Sequence, residues 1–181
     1  MTPVQDQGWC GSCWAFAAVA GFESAYLVTY NRKVDISEMQ VGSCTYSNYN
    51  GCWGGSMYRA YVSSYWNDGL SLEAGTSVTS SYPASYNVNG LTSCLKKEGP
   101  IKIKNLMITN GGDCNSMKAL LQFGPIAIAI TVCNLWYYYS SGYVDVVTLP
   151  ITEFFWLESI VLGGSSKTRG EQIGEKTVTS K

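Results

Sequence analysis

Seven cysteines, at positions 10, 13, 44, 52, 94, 114 and 133, set the tightest limit on how this chain of 181 residues can fold. Thiols at that density, in a Gly- and Tyr-rich chain poor in charge, fit an oxidising compartment where disulfides persist. The odd total leaves at least one thiol outside any bridge, and a secreted, vacuolar or lysosomal setting is expected. The length suits one domain with a real buried core, and 46% hydrophobic against 14% charged residues is not the composition of a disordered chain. Twelve Lys and Arg offset 13 Asp and Glu. That balance is too even to grip nucleic acid or anionic lipid. The histidine count is zero, so no imidazole can serve as base, pH switch or metal ligand, and any mechanism that needs one is excluded for the chain as written.

No uncharged apolar stretch approaches the ~18 residues of a membrane span, so a soluble protein is expected. Residues 1–7 show no basic region followed by an apolar run. With signal and propeptide absent, disulfide chemistry of this kind suggests a fragment. From Trp14 to Tyr30, Ala15, Val19, Phe22 and Tyr26 recur at three- and four-residue steps, predicting a helix with one apolar face and Cys13 in its first turn. Ser37-Glu38-Met39-Gln40 announces a second helix ending near Gly42, with Ser37 capping the Gln40 amide and the Gln40 side chain reaching back. Ser56 to Trp66 carries helical spacing through Met57, Ala60, Tyr61 and Tyr65, and Asn67-Asp68-Gly69 stops it. Residues 76–94 read as an irregular surface segment. Beyond Gly99-Pro100, residues 101–104 alternate like a strand, 115–123 read as a short helix, and 126–132 form an apolar β-branched run. The expected architecture is α+β: a mainly helical half over 1–98, a sheet half over 99–150 and an aberrant tail over 151–181, with a groove between the halves.

The phrase Gln7-Gly8-Trp9-Cys10-Gly11-Ser12-Cys13-Trp14 contains Cys-Gly-[Ser/Ala]-Cys-[Trp/Tyr], the local signature of papain and the cathepsins. The chain resembles a papain-like cysteine peptidase. The likeness continues through Ile36-Ser37-Glu38-Met39-Gln40 with Cys44, Gly51-Cys52-Trp53-Gly54-Gly55, Tyr82-Pro83 with Cys94, and Gly124-Pro125-Ile126 onward, about four fifths of the chain. It implies a two-lobed fold with a helical half and an antiparallel sheet or barrel half, incomplete here. It also implies hydrolysis of peptide bonds through a thioester, on peptide or protein substrates, by a monomer without metal or cofactor. By that resemblance Cys13 is the nucleophile, and its backbone amide and the Gln7 side chain donate to the oxyanion. Cys10 pairs with Cys52 and Cys44 with Cys94. Gly54 and Gly55 form a wall where an extended peptide bonds to backbone, while Met57 and Ala129 line the pocket for the apolar residue two before the scissile bond. The chemistry also has a local reason, because a thiol at a helix N-terminus feels the positive end of the dipole, which favours the attacking thiolate.

Each assignment has a plainer rival. Cys13 could be a structural thiol, Gly54-Gly55 a turn, Met57 and Ala129 ordinary core, and Gln7 a surface residue. Cys10-Gly11-Ser12-Cys13 also has the Cys-x-x-Cys form of a thiol-disulfide oxidoreductase, but the polar, broken segment before it is no strand. A zinc site would need a second close cysteine pair, and Cys44 and Cys52 are not spaced as one. A third reading is a papain-like fold that binds without catalysis. Cys114 and Cys133 could pair together, or Cys133 could have lost a partner beyond the end.

The family's His and Asn should fall roughly 130 to 150 residues beyond the cysteine, yet from Val146 the text matches nothing expected. Its codons can. Residues 171–181, EQIGEKTVTSK, can be back-translated so that the same bases, begun one nucleotide earlier, read GTNWGENGYFK, the family's C-terminal phrase. The same shift permits WIVKNSW over 164–170, with Asn in the register of Thr168. It permits NHGVLLVG over 151–158, with His in the register of Thr152, 139 positions after Cys13. The expectation is a frame slip between about Val144 and Pro150. Residues 151–181 should then have supplied strands and one groove wall. Residues 163–181 contain no aromatic side chain, so disorder or poor packing is expected there.

Overall fold

The computed structural model describes residues 7, 10–46, 51–67, 69–72, 94–95, 97–109, 114–130 and 158–162. In chain order these form α1 (Cys13–Tyr30), α2 (Glu38–Cys44), a 3-10 turn (Gly51–Trp53), α3 (Met57–Trp66), α4 (Cys114–Leu121), β1 (Ile126–Ile130) and β2 (Glu158–Leu162). The order is α+β, with helices first and strands last.

Helix α1 is the axis of the fold. Its C-terminus is closed by Asn31, whose left-handed φ of 51° lets its amide reach the Leu27 carbonyl at 2.9 Å, a role Asn fills with little steric cost. Periodicity alone predicts one apolar face, and here the structure differs. Trp14 through Val19 are buried without interruption, because α2, α3 and the strand pair all pack on α1. A helix covered on every side is apolar all round. Ile36, Val41, Ala60 and Leu70 complete that core. Glu23, also buried, takes the Ile36 amide at 2.9 Å on its carboxylate and fastens the α1–α2 loop.

Helix α2 starts where Ser37 Oγ accepts the Gln40 amide at 3.3 Å. It continues to Cys44, two residues past Gly42, and is buried throughout. Burial and the Cys44–Cys94 bridge outweigh the weak helix propensity of one glycine. The Gln40 side chain does not fold back on Ser37. It crosses to another part of the chain, where Nε2 donates to the Glu98 and Gly69 carbonyls at 3.0 and 3.4 Å and Oε1 accepts the Ser71 amide at 2.6 Å. Those backbone groups are hydrogen-bonding obligations that a buried site must meet, and Gln40, 1% exposed, meets three of them. Ser71 Oγ also donates to the Glu98 carbonyl, at 2.8 Å. Gly99 is needed at this junction, since a Cβ there would collide with the Leu70 backbone.

Helix α3 begins one residue after its cap, Ser56. Asn67 is its C-cap, as the sequence anticipated, and Asp68 lies outside the described residues. Residues 101–104 are not a strand. Only Ile101 pairs, through an isolated antiparallel bridge to Leu70. The alternation survives as burial, with Ile101 and Ile103 half-buried and Lys102 and Lys104 exposed. Period two reports which side faces the core, whereas a ladder also needs a partner strand.

Helix α4 is displaced slightly from the expected 115–123, to 114–121. Strand β1 pairs antiparallel with β2, Ile126 opposite Leu162 and Ile130 opposite Glu158. Part of the tail read as aberrant is therefore ordered as an edge partner. Thr131 and Val132, expected in β1, lie outside the described residues, as do 73–93 and 163–181. Among the described residues, no helix is long and apolar enough to cross a membrane.

Candidate active site

Cys13 is the first residue of α1, half-buried, and outside both disulfides. Helix starts are ordinarily quenched by a Ser, Thr, Asp or Asn side chain at the cap. Here Ser12 makes no such bond, its Oγ turning back to the Cys10 carbonyl at 3.4 Å, and the first turn carries no acidic residue. The positive end of the helix is thus left to whatever stands at Cys13, an arrangement that favours an anion there.

The approach to Cys13 is fixed by covalent and polar ties. Cys10 is bonded to Cys52, and the Gly11 amide donates to the Cys52 carbonyl at 2.9 Å. With Cys10 bonded to Cys52, a Cys10–Cys13 redox couple has no disulfide to cycle. Gln7 is half-buried beside this turn, its Nε2 donating to the Cys10 carbonyl at 3.0 Å. An amide nitrogen carries two hydrogens, and one is committed there.

Trp14 connects the start of α1 to the segment that faces it. Its Nε1 donates to the Gly51 carbonyl at 3.0 Å, and its ring meets Tyr46 edge-on at 5.5 Å. The Tyr46 hydroxyl accepts the Ser56 amide at 2.9 Å, and the Arg59 guanidinium lies 5.6 Å over the Tyr46 ring. Gly54 and Gly55 are held between these anchors, and each is glycine for its own reason. Gly54 has φ of +104°, a region L side chains rarely adopt. Gly55 has no room for a Cβ, which would collide with the Trp14 indole. A plain turn would explain the first requirement but not the second, because Gly55 brings bare backbone directly against the residue following Cys13.

Met57 is half-buried at the start of α3, packed against the α1 core. Ala129 sits on β1 opposite Ser159 and is exposed. Both α3 and β1 pack on α1, so the two residues stand on elements flanking the helix that carries Cys13. The structure therefore brings Cys13, Gln7, Cys10, Cys52, Gly54 and Gly55 into one ensemble. Thr152 and Thr168 lie outside the described residues, as does Cys133. Cys114 is an exposed thiol at the start of α4. Sequence reasoning missed Trp14 as the anchor of the wall. The signal was its place directly after Cys13, next to an indole N–H that a buried site must satisfy.

Residues 1–155 match the family model described as papain family cysteine protease. Among curated proteins, the chain is 34% identical over 146 residues to falcipain-2b of Plasmodium falciparum, covering 80% of this chain and 28% of that protein. It is 32% identical over 145 residues to the oryzain gamma chain of Oryza sativa subsp. japonica, covering 78% and 38%. The chain thus spans well under half the length of these relatives. The solved structure of bromelain protease from Ananas comosus, in complex with the E64 inhibitor, superposes with a TM-score of 0.64 at 26% identity, over 91% of this chain and 72% of that one.

Proposed function

The chain belongs to the papain family of cysteine proteases, and from that premise we propose that Cys13 is the attacking thiol of a peptide-binding cleft whose base is missing from this chain. The observation that carries the reading is the thiol position at the uncapped start of α1, opposite a glycine wall pinned by the Cys10–Cys52 bridge. In a complete site of this kind, a neutral imidazole takes the thiol proton and the thiolate attacks the peptide carbonyl carbon. The oxyanion collects hydrogen bonds, the amine leaves with the proton, and water then hydrolyses the thioester. An Asn orients the imidazole, as the third group does in such triads. The residues of this chain cover the binding and oxyanion parts: the Cys13 amide and the second Gln7 hydrogen as donors, Gly55 as backbone partner of an extended substrate, and Met57 with Ala129 beside an apolar substrate residue. They do not cover the proton transfer. The helix start favours the thiolate, but none of these residues takes up the thiol proton or returns one to the departing amine.

We further infer that the base and its orienting Asn were lost to a one-nucleotide slip near residues 144–150, with Thr152 and Thr168 standing in their registers. The chain as written then binds peptides without cleaving them efficiently, as a monomer, in a lysosomal, vacuolar or secreted setting where its two bridges persist. Alkylation with iodoacetamide, mapped residue by residue, tests the site. Cys13 should be modified while Cys10 remains bonded to Cys52, and a peptide with an apolar residue two before its scissile bond should protect Cys13. A reversible Cys10–Cys13 disulfide, or no protection of Cys13 by peptide, would contradict the reading.

A further inference from the structure

Tyr46 belongs to no motif in the sequence, yet it holds the peptide group on which the proposed backbone contact of Gly55 depends. It stands just beyond Thr45, the C-cap of α2, and close to the Cys44–Cys94 bridge. Its half-buried ring meets Trp14 edge-on at 5.5 Å and lies 5.6 Å under the Arg59 guanidinium. Ten positions along the chain, the Ser56 amide donates to its hydroxyl at 2.9 Å. That N–H and the Gly55 carbonyl are the two ends of one peptide group. The group is planar and, since no peptide bond among the described residues is cis, its hydrogen and its oxygen point in opposite directions. Fixing the hydrogen fixes the oxygen. Gly55 has no Cβ to restrict the backbone around it, so the direction of its carbonyl has to be set from outside. Beyond Ser56 the chain is already committed to α3, with the Arg59 amide on Ser56 Oγ at 3.5 Å.

We propose that Tyr46 is a positioning residue of the cleft, its hydroxyl holding the Gly55 carbonyl in the direction from which it accepts a backbone N–H of an extended substrate. The proposal rests on the peptide-cleft reading above. Tyr46 touches neither the substrate nor the thiol. Its contribution is preorganisation: a peptide group free to turn would have to be ordered when substrate binds, and that cost is deducted from affinity. The hydroxyl meets it beforehand, during folding. The ring contacts with Trp14 and Arg59 keep the hydroxyl in place, so ring and hydroxyl have separable tasks. Losing the hydroxyl alone should weaken peptide binding and leave the reactivity of Cys13 unchanged.

The test uses peptides carrying a 2-pyridyl disulfide at the position of the scissile bond. The Cys13 thiolate attacks the peptide-side sulfur, a Cys13–peptide disulfide forms, and the electron pair leaves on pyridine-2-thione. Reaction at Cys13 is read by peptide mapping, because Cys114 is exposed too. Its dependence on peptide concentration separates the dissociation constant of the peptide from the limiting rate. In the full parent chain, N-methylation of the second residue before the scissile bond should raise the dissociation constant about fivefold, the loss of one neutral hydrogen bond. Tyr46→Phe keeps the ring, and should raise it by about the same factor for the unmethylated peptide, after which N-methylation costs little more. The limiting rate, and the rate with 2,2′-dipyridyl disulfide, should stay as in the parent; a merely structural Tyr46 would lower them too. The proposal is overturned by a parent chain indifferent to N-methylation, by a full methylation cost persisting in Tyr46→Phe, or by an equal loss with the small disulfide. If no peptide reacts differently from 2,2′-dipyridyl disulfide, the peptide-cleft reading itself has failed, and this proposal with it.

Discussion

Peptide-amide hydrolysis by the purified chain should fall on the order of 10⁶ below that of a family member with its imidazole, the scale set by removing one member of an acyl-transfer triad. The residual rate should equal that of Cys13→Ala, measured with a fluorogenic amide bearing an apolar residue two before the scissile bond. The loss is this large because three of the four requirements of the chemistry are insufficient without the fourth. In the proposed site, helix α1 presents to Cys13 an N-terminus with no side-chain cap bond from Ser12 and no acidic residue in its first turn, Gln7 and the backbone would offer hydrogens to an oxyanion, and Gly55 would offer a place for substrate backbone. None of them accepts the thiol proton or returns one to the departing amine. Supplying imidazole in solution should raise the rate of the parent chain and leave Cys13→Ala unmoved.

Replacing Gln40 by Ala should destabilise the protein by about 3 kcal/mol or more, read as a lower urea midpoint at unchanged slope. Its amide joins the Ser71 amide and the Glu98 and Gly69 carbonyls, which belong to segments distant in sequence. The truncated side chain deprives the buried Ser71 amide and Gly69 carbonyl of these bonds and leaves a void besides, while the Glu98 carbonyl keeps the bond from Ser71 Oγ. Gln40→Glu separates the two causes, since it keeps the volume but turns a donor into an oxygen facing two carbonyls. A carboxyl so placed ionises reluctantly in the folded state, so its folded pKa lies above its unfolded value and the folded state binds the proton more tightly. Stability of Gln40→Glu should therefore rise as pH falls towards the unfolded carboxyl pKa of about 4.3, whereas Gln40→Ala should show no such recovery.

Legibility in the sequence followed the range of the interaction. The start of α1 at Cys13, the Ser37 cap of α2 and the start of α3 near Ser56 are written within four residues of themselves, and each was read with little error. The bridges Cys10–Cys52 and Cys44–Cys94 span 42 and 50 positions, and only the family likeness implied them. Spacing alone offered no choice among seven thiols. The unbroken burial of Trp14 to Val19 was missed because periodicity describes one face and cannot count how many elements a helix will be surrounded by. The Gln40 crossing was read as a local capping box, since the local pattern fits both and only the distant carbonyls of Glu98 and Gly69 decide. Residues 101–104 have the strand alternation but lack a partner, and β2 gained a partner, β1, that its own text did not announce. At the site, Cys13 and the paired glycines were visible as a motif. Trp14 as their common anchor was not, because its contact runs from one end of that motif to the other through space.

Sequencing the coding DNA across residues 144–181 tests most directly the claim that this is a papain-type nucleophile parted from its base by reading frame. One alternative frame is expected to encode Asn-His in the register of residues 151–152 and Asn-Ser-Trp in the register of 168–170, in that order and without an intervening stop codon. A coding sequence with no His codon in either alternative frame near Thr152 would contradict it, leaving a chain that never had this base.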